Sequence, residues 1–179
     1  MAPTRKTEIK RFMRNLDRPK MELVLLLADV EDPVNVGSIF RIADACGAKE
    51  LILTGISARP PHRLLSKVSR GKERRVAWRY EPDPVPVLEE LGRQGYSRFA
   101  VEITADALPY DDDSVNYAGR TCLVVGHEDH GVTRRVLATC DHAIFLPMYG
   151  KGASLNVHVA LGVAAFFALH AAAADKARR

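Results

Sequence analysis

Side chains capable of chemistry are concentrated in three short stretches of the chain, residues 35–41, 126–131 and 144–157. They supply an arginine, a glutamate, a serine and two asparagines, which can bind phosphate, orient a hydroxyl group and stabilise developing charge. Each stretch follows an apolar run typical of a buried strand, and ligands of open α/β sheets bind where the chain leaves the carboxyl ends of strands. The three stretches therefore predict one shared site. The structural alternative at the first stretch is that Asn35 caps a helix and Arg41 is a surface residue.

Two other chemistries compete for these residues. The histidines and carboxylates at 127–130, together with His142, are of types that bind metals, but an H-x-x-H spacing without a partner motif is weak evidence, and no metal is predicted. A hydrolase would use Ser154 activated by His158, yet no G-x-S-x-G turn surrounds that serine. Residues 150–155 fit neither a P-loop nor a dinucleotide-binding fingerprint.

Strands and helices alternate along the chain, which predicts an α/β fold with a mainly parallel sheet flanked by helices on both faces. Strands are expected at 23–28, 51–54, 76–78, 98–103, 121–125 and 143–146, and helices at 36–46, 61–70, from 84 to Gly92 or Gly95, 132–138 and from Ser154 onward. Residues 1–20 differ in character, because one apolar stripe of a short basic helix holds Ile9, Phe12, Met13 and Leu16. We expect an amphipathic extension at 1–20 and a single domain at 21–179.

The composition limits the class of protein. The chain has 179 residues, of which 47% are hydrophobic, enough for one well-buried domain. Three cysteines without a C-x-x-C spacing argue against a disulfide framework or a zinc ribbon. The basic amino terminus lacks the apolar segment of a signal peptide. The longest apolar stretch, 157–174, contains two histidines and is read as a buried helix. A soluble cytoplasmic protein without a membrane partner is expected.

Positive charge is confined to two segments. Residues 1–20 hold seven basic and two acidic residues, and residues 59–79 hold eight basic residues and one acidic residue. The rest of the chain is acidic, since the net charge of the whole is only +4. Isolated charge runs are usually solvated surfaces. Two of them flanking a candidate site favour a docked polyanion, because phosphate contacts supply most sequence-independent affinity for nucleic acid.

Together, the three stretches resemble the signature motifs of the SPOUT superfamily of RNA methyltransferases, in its SpoU/TrmH branch. Residues 35–41 match the N-x-G-x-x-x-R pattern of motif 1, and residues 126–131 match the G-x-E-x-x-G pattern of motif 2. Residues 144–157 match motif 3, which is an apolar-Pro-Met sequence followed by S-L-N-V. The resemblance extends from about Leu23 to Leu169.

This resemblance implies a homodimer whose α/β fold has a carboxyl-terminal trefoil knot. It also implies methyl transfer from S-adenosylmethionine to a ribose 2′-hydroxyl of RNA. It assigns the chemistry to Arg41, Asn35, Ser154 and Asn156, and it gives Glu128 a role in the architecture of the pocket. The residues expected to bind the cofactor are Ile103, Gly126, Ile144, Leu146, Met148, Ser154 and Leu155.

The family's proposed catalytic residue corresponds to Arg41. Because a guanidinium group does not deprotonate in proteins, we expect Arg41 to clamp a phosphate and to stabilise the developing alkoxide, while phosphate or water accepts the proton. Ser154 and Asn156 would shape the pocket and position the ribose. Asn35 would hold the loop or the contact between subunits.

We expect tRNA rather than ribosomal RNA as the substrate, because the chain lacks the appended RNA-binding domain of several ribosomal enzymes in this family. The basic residues expected to contact RNA are Lys10, Arg11, Arg14, Arg63, Lys67, Arg70 and Lys72. One departure concerns residues 67–73, which are charged where many relatives have a small Ser-Gly-Ala-like turn. The alternative function is a catalytically silent RNA-binding module of the same fold, which has no need of all five intact motif residues.

A homodimer is also expected from the last helix. Its apolar face exceeds what one small sheet should need to cover. The residues of this face are Val157, Leu161, Ala164, Ala165 and Ala168.

Overall fold

The computed structural model describes residues 5–16, 20–117 and 119–178, apart from the side chains of residues 6, 10, 14 and 174–178. The strands are β1 (Glu22–Ala28), β2 (Glu50–Thr54), β3 (Trp78–Glu81), β4 (Ser97–Val101), β5 (Leu108–Pro109), β6 (Arg120–Val125) and β7 (His142–Phe145). The helices are α1 (Lys6–Arg14), α2 (Pro33–Cys46), α3 (Arg63–Ser69), α4 (Pro84–Arg93), α5 (Arg134–Leu137) and α6 (Val157–Arg178). A short 3₁₀ turn at Lys72–Arg74 follows α3.

The seven strands form one sheet in the order β3-β2-β1-β6-β4-β7-β5, and every neighbouring pair is parallel. The central strand β1 has an uninterrupted apolar run because helices cover both of its faces. Its residues enter two apolar clusters on opposite sides of the sheet, with Leu25 in one and Leu26 in the other. The predicted α/β architecture is confirmed.

The two edge strands differ from the sequence prediction. We expected a strand at 76–78, but β3 forms at Trp78–Glu81, and we did not expect β5 at all. Each pairs with only one neighbour, so neither needs the continuous apolar run that marks a central strand. Proline at position 109 is tolerated because an edge strand can leave one backbone position unpaired.

Helix α2 begins and ends by recognisable local chemistry. Asp32 caps its first turn by accepting a hydrogen bond from the Val34 N–H at 2.8 Å, and Gly47 ends it in the left-handed conformation with φ of 66°. Within the helix, a Cβ atom on Gly37 would lie 2.8 Å from the carbonyl oxygen of Leu65. Glycine at 37 therefore lets α3 pack closely against α2.

Helix α6 begins at Val157 and not at Ser154 as expected, because the Asn156 side chain caps it by accepting from the His158 N–H at 3.0 Å. The helix is apolar on two faces. The face that we expected to drive dimerisation is already covered within the chain, since four of its five residues are fully buried: Leu161, Ala164, Ala165 and Ala168. The outer face remains exposed at 41%, 39% and 51% for Val159, Val163 and Phe166. The face that we expected to drive dimerisation is therefore not available to a second copy of the chain.

The segment between β4 and β6 crosses α6. The rings of Tyr110 and Tyr117 lie 4.9 Å and 5.9 Å from the ring of Phe167, measured between centroids. The Tyr117 hydroxyl donates to the Tyr110 carbonyl oxygen at 2.6 Å, which fixes the crossing segment. These contacts secure the second half of the segment, from Tyr110 to Tyr117.

Two properties of the helices concern contact with a membrane: their length and their exposed apolar residues. In the described part of the chain, no helix is long and apolar enough to cross a bilayer. Helix α1 forms as expected, and its stripe residues Ile9, Phe12, Met13 and Leu16 are 42–63% exposed. Its apolar stripe is therefore largely uncovered within the described chain.

Candidate active site

A cavity of about 330 Å³ opens at one edge of the sheet, beside the carboxyl ends of β4, β6 and β7. These three strands are neighbours in the sheet, so the segments that follow them converge although they are distant in sequence. Its wall is formed by residues 101–103, 125–131, 145–146 and 148, the turn at 154–155, and the start of α6. Two of the three predicted stretches thus share one cavity.

Most residues predicted to bind a cofactor line this cavity. Those that do are Ile103, Gly126, Leu146, Met148, Ser154 and Leu155. Ile144 does not, because it is fully buried in the core, in the middle of β7, where it pairs with Val101 and Leu108. The strand period explains this placement, since alternate side chains of β7 point to opposite faces.

Glu128 joins the second stretch to the start of α2. Its carboxylate accepts hydrogen bonds from the backbone N–H groups of Glu31 at 3.2 Å and Asp32 at 3.1 Å, and from Nδ2 of Asn35 at 2.8 Å. Burial opposes its ionisation, but these donors outweigh burial and hold the pKa of Glu128 below its ordinary value. Glu128 is therefore an ionised structural acceptor in the cavity wall.

Asn35 connects this carboxylate to the third stretch. Its side chain is almost fully buried, with 3% of the residue exposed, and its Oδ1 lies 2.9 Å from Nδ1 of His158 on α6. Hydrogen bonds therefore link the first two predicted stretches to His158, the residue directly after the third stretch. Sequence reasoning considered His158 only as a partner of Ser154, whereas the described side-chain hydrogen bond of His158 is to Asn35.

Glu102 is a site residue that sequence reasoning missed. Its carboxylate accepts from the Val132 N–H at 2.8 Å and from the Ile103 N–H at 2.9 Å, so it ties the segment after β4 to the segment after β6. A Cβ atom on Gly131 would lie 2.2 Å from Oε2 of Glu102. The sequence feature that could have identified Glu102 as a site residue is its position directly after an apolar strand.

The loop at 126–131 is closed by its own backbone. His127 and Gly131 exchange two backbone hydrogen bonds, at 3.1 Å and 2.8 Å. A Cβ atom on Gly126 would lie 2.2 Å from the Gly131 carbonyl oxygen and 2.4 Å from the Val132 nitrogen. Close backbone approach therefore requires glycine at 126.

The histidines of this loop contact each other. The rings of His127 and His130 stack with centroids 4.7 Å apart, and Nδ1 of His127 accepts from the Asp129 N–H at 3.0 Å. Among the residues that the structure describes, no three His, Cys, Asp or Glu side chains are grouped closely enough to hold a metal ion. His127 and His130, which the sequence offered as possible metal ligands, therefore contact each other.

Of the remaining predicted catalytic residues, one lines the cavity and two do not. Ser154 lines it, whereas Asn156 is exposed and caps α6. Arg41 is exposed on α2 and does not line the cavity of its own chain. The described chain therefore does not bring Arg41 together with Ser154.

The residues predicted to bind RNA divide into exposed and paired groups. Arg11 is exposed, and the side chains of Lys10 and Arg14 lie outside those described. Arg63, Lys67 and Arg70 are also exposed. Lys72 differs, because its ammonium forms an ion pair with Asp44 and is only partly exposed.

Comparison with known proteins places these motifs in a family. The family model described as the SpoU rRNA methylase family matches residues 22–166. The chain is 34% identical over 147 residues to a 23S rRNA (guanosine-2′-O-)-methyltransferase RlmB of Ralstonia nicotianae, covering 82% of this chain and 58% of that protein. It is 32% identical over 157 residues to a tRNA (guanosine(18)-2′-O)-methyltransferase of Thermus thermophilus, covering 88% and 79%. The chain thus spans less than two thirds of the first relative.

Solved structures share the fold. A structure described as giving insight into 2-OH methylation of C/U34 on tRNA is 30% identical with a TM-score of 0.74, covering 86% of this chain and 97% of that one. The SpoU methyltransferase AviRb from Streptomyces viridochromogenes, in complex with the cofactor AdoMet, is 25% identical with a TM-score of 0.74, covering 88% and 63%. The predicted fold is confirmed, and the carboxyl-terminal knot follows from it. The chain belongs to the SpoU rRNA methylase family.

Proposed function

We propose that this chain transfers a methyl group from S-adenosylmethionine to a ribose 2′-hydroxyl of RNA. The observation that carries the proposal is that two motif stretches line one cavity, while Asn35 of the other stretch hydrogen-bonds to Glu128 in its wall and to His158 on α6. The relatives named as tRNA and rRNA 2′-O-methyltransferases support the same reaction. A silent RNA-binding module would need neither these hydrogen bonds nor the cavity.

The cavity suits the cofactor in size and lining. Its volume of about 330 Å³ falls at the lower end of the range of small-molecule sites. Apolar side chains of Ile103, Leu146 and Leu155 line it together with the polar loop 126–131, which matches a ligand that combines an adenine ring with charged and hydroxyl groups. When bound, S-adenosylmethionine supplies a methyl group on a sulfonium sulfur.

Arg41 performs its role through charge and position. As a guanidinium it is a permanent cation that can clamp an RNA phosphate and stabilise the developing alkoxide, but it cannot accept the proton. Ser154 lies in the cavity wall, where its hydroxyl can orient the ribose. Because Arg41 does not line the cavity of its own chain, a second copy of the chain would bring it to the site.

The proposed homodimer forms through the outer face of α6. Val159, Val163 and Phe166 follow one another at helical spacing and are 39–51% exposed, so they form an apolar stripe that a second copy could cover. A symmetric dimer would bury the same stripe on both subunits. Light scattering that reports a monomer at micromolar concentration would contradict this part of the proposal.

The proposed substrate is tRNA in preference to ribosomal RNA. Two similar proteins support this choice, because the Thermus enzyme, at 32% identity, and the structure at 30% identity are both described as concerned with tRNA methylation. Exposed Arg63, Lys67 and Arg70 are available for phosphates. The three free cysteines fit a reducing compartment such as the cytoplasm.

We propose that residues 1–20 act as a separate basic extension that strengthens RNA binding. Deleting them should weaken tRNA binding and flatten its dependence on salt, because fewer phosphates are contacted. S-adenosylmethionine binding should be unchanged. A truncated chain that binds and methylates tRNA like the full chain would remove this role.

Methyl transfer tests the function directly. The full chain is incubated with tritiated S-adenosylmethionine and either bulk tRNA or ribosomal RNA, and the labelled nucleosides are identified after digestion. Label in a 2′-O-methyl nucleoside of tRNA is expected, and Arg41→Ala should lose most turnover while it keeps cofactor binding. Absence of label in both RNAs would favour the silent module.

A further inference from the structure

The contact between His158 and Asn35 determines which ring nitrogen of His158 carries a proton. Glu128 is ionised and can only accept hydrogen bonds, so the amide nitrogen of Asn35 must face it, at a distance of 2.8 Å. The amide oxygen of Asn35 then faces Nδ1 of His158 at 2.9 Å. Two acceptors cannot form a hydrogen bond, so Nδ1 of His158 must be the donor.

The surroundings of His158 favour one neutral form of the ring. Burial lowers its pKa, and the negative charge of Asp32 opposes this only in part. The backbone N–H of His158 is already used, since it donates to Oδ1 of Asn156 at 3.0 Å. The ring is therefore neutral near pH 7, with its proton on Nδ1 and its lone pair on Nε2.

We propose that His158 is a positioning residue of this site, which donates from Nδ1 to Asn35 and thereby fixes the amide that holds the Glu128 wall of the cavity. The hydrogen bonds run from α6 through Asn35 on α2 to the cavity loop. Without the donor, the oxygen of Asn35 loses its partner in a setting where only 3% of the residue is exposed. The role in catalysis rests on the proposed function, but the hydrogen bond does not.

Substitution of His158 by asparagine or glutamine tests whether the donor nitrogen, and not the whole ring, is required. Asparagine carries an amide N–H near the position of Nδ1, whereas glutamine carries it near the position of Nε2. His158→Ala should weaken S-adenosylmethionine binding about tenfold, because it leaves a buried acceptor without a partner. His158→Asn should stay within about threefold of the wild type, and His158→Gln should resemble alanine.

His142 offers a matched control, because it is an exposed histidine on β7 whose ring stacks on Phe99 at 6.2 Å and does not line the cavity. His142→Asn should leave cofactor affinity unchanged. Thermal unfolding of each variant checks that it is folded. If His158→Ala does not fold, the comparison of His158→Asn with His158→Gln still separates a donor at Nδ1 from one at Nε2.

The tautomer is measured on the wild-type chain by nitrogen-15 NMR of labelled histidines, with the His158 signals assigned from the His158→Asn spectrum. A proton on Nδ1 is expected at neutral pH, and a proton on Nε2 alone would overturn the proposal. Equal cofactor affinity of His158→Ala and the wild type, or equal rescue by glutamine and asparagine, would also overturn it. If the wild type binds no S-adenosylmethionine, the proposed function fails, while the tautomer still decides the hydrogen bond.

Discussion

The two walls of the cavity are built differently. The loop at 126–131 is held by two backbone hydrogen bonds between His127 and Gly131. The carboxylates of Glu128 and Glu102 also hold it, and together they accept five hydrogen bonds. The loop between β7 and α6 has exposed residues from 149 to 156, and Tyr149 is 96% exposed. One wall is tied to two other segments of the fold, and the other lies against solvent.

This difference assigns separate tasks to the two walls. A wall fixed by hydrogen bonds to other segments keeps its shape before a ligand arrives, which reduces the entropy lost on binding. A solvent-exposed loop contributes few contacts to the folded state and can close over a ligand at small energetic cost. We therefore expect substitutions in the first wall to change stability and binding together, and substitutions of cavity-lining residues in the second wall to change binding alone.

Glycine-to-alanine substitution gives the largest expected contrast. Gly126→Ala places a Cβ atom 2.2–2.4 Å from backbone atoms of Gly131 and Val132, so the loop must move, at a cost of about 2–3 kcal/mol in the free energy of unfolding. Gly150→Ala meets no atom within 4 Å and should change this free energy by less than about 0.5 kcal/mol. Urea denaturation of both variants measures the contrast, and equal destabilisation would contradict it.

Removal of the Glu128 carboxylate should have the next largest effect. Glu128→Ala leaves the Asn35 amide and two backbone N–H groups without their acceptor, which should cost about 2 kcal/mol of stability and weaken cofactor binding. Glu31→Ala is the control, because its side chain is 69% exposed and should contribute less than about 1 kcal/mol. A Glu128 variant as stable as the control would show that the first wall is not held as described.

The same carboxylate predicts a dependence on pH. Since folding lowers the pKa of Glu128, its stabilising contribution is complete above the unfolded value of 4.5 and is lost as the pH falls through the lower folded pKa. The difference in unfolding free energy between the wild type and Glu128→Gln should therefore be constant near pH 7 and should shrink in acid. Chemical denaturation over a pH series measures it, and a difference that grows in acid would reverse the assigned sign.

The second wall should show the smallest effect on stability. Leu155 lines the cavity while 40% exposed, so Leu155→Ala should leave the free energy of unfolding within about 1 kcal/mol of the wild type. The loss of apolar contact should raise the dissociation constant of S-adenosylmethionine about fivefold. Unchanged affinity, measured by calorimetry, would remove Leu155 from the binding surface.

Sequence reasoning found the central strands and the motif loops because their signals are local. The apolar run at 23–28 predicts a strand covered on both faces, and the G-x-E-x-x-G pattern around Glu128 follows directly on another apolar run. Edge strand β5 has two residues and gives no periodic signal. The inner and outer faces of α6 are both apolar, so the sequence could not tell which one the sheet covers.

Contacts between distant segments account for what the sequence missed at the site. Ile144 was placed at the cavity because it belongs to a motif, but its position in β7 directs it into the core. Glu102 and His158 act through residues 30 and 123 positions away. Only the order of strands in the sheet brings these partners together.

Calorimetric titration of the full chain with S-adenosylmethionine shows whether the cavity at the carboxyl ends of β4, β6 and β7 is the cofactor site. We expect saturable binding with one site per chain, abolished or strongly weakened by Gly126→Ala and retained by Gly150→Ala. Gly126→Ala should weaken binding because Gly126 shapes the fixed wall. Gly150→Ala should retain binding because a Cβ atom at 150 meets only open space. No binding by the wild type up to millimolar cofactor would contradict the assignment of the cavity as the cofactor site, as would binding that Gly126→Ala leaves unchanged.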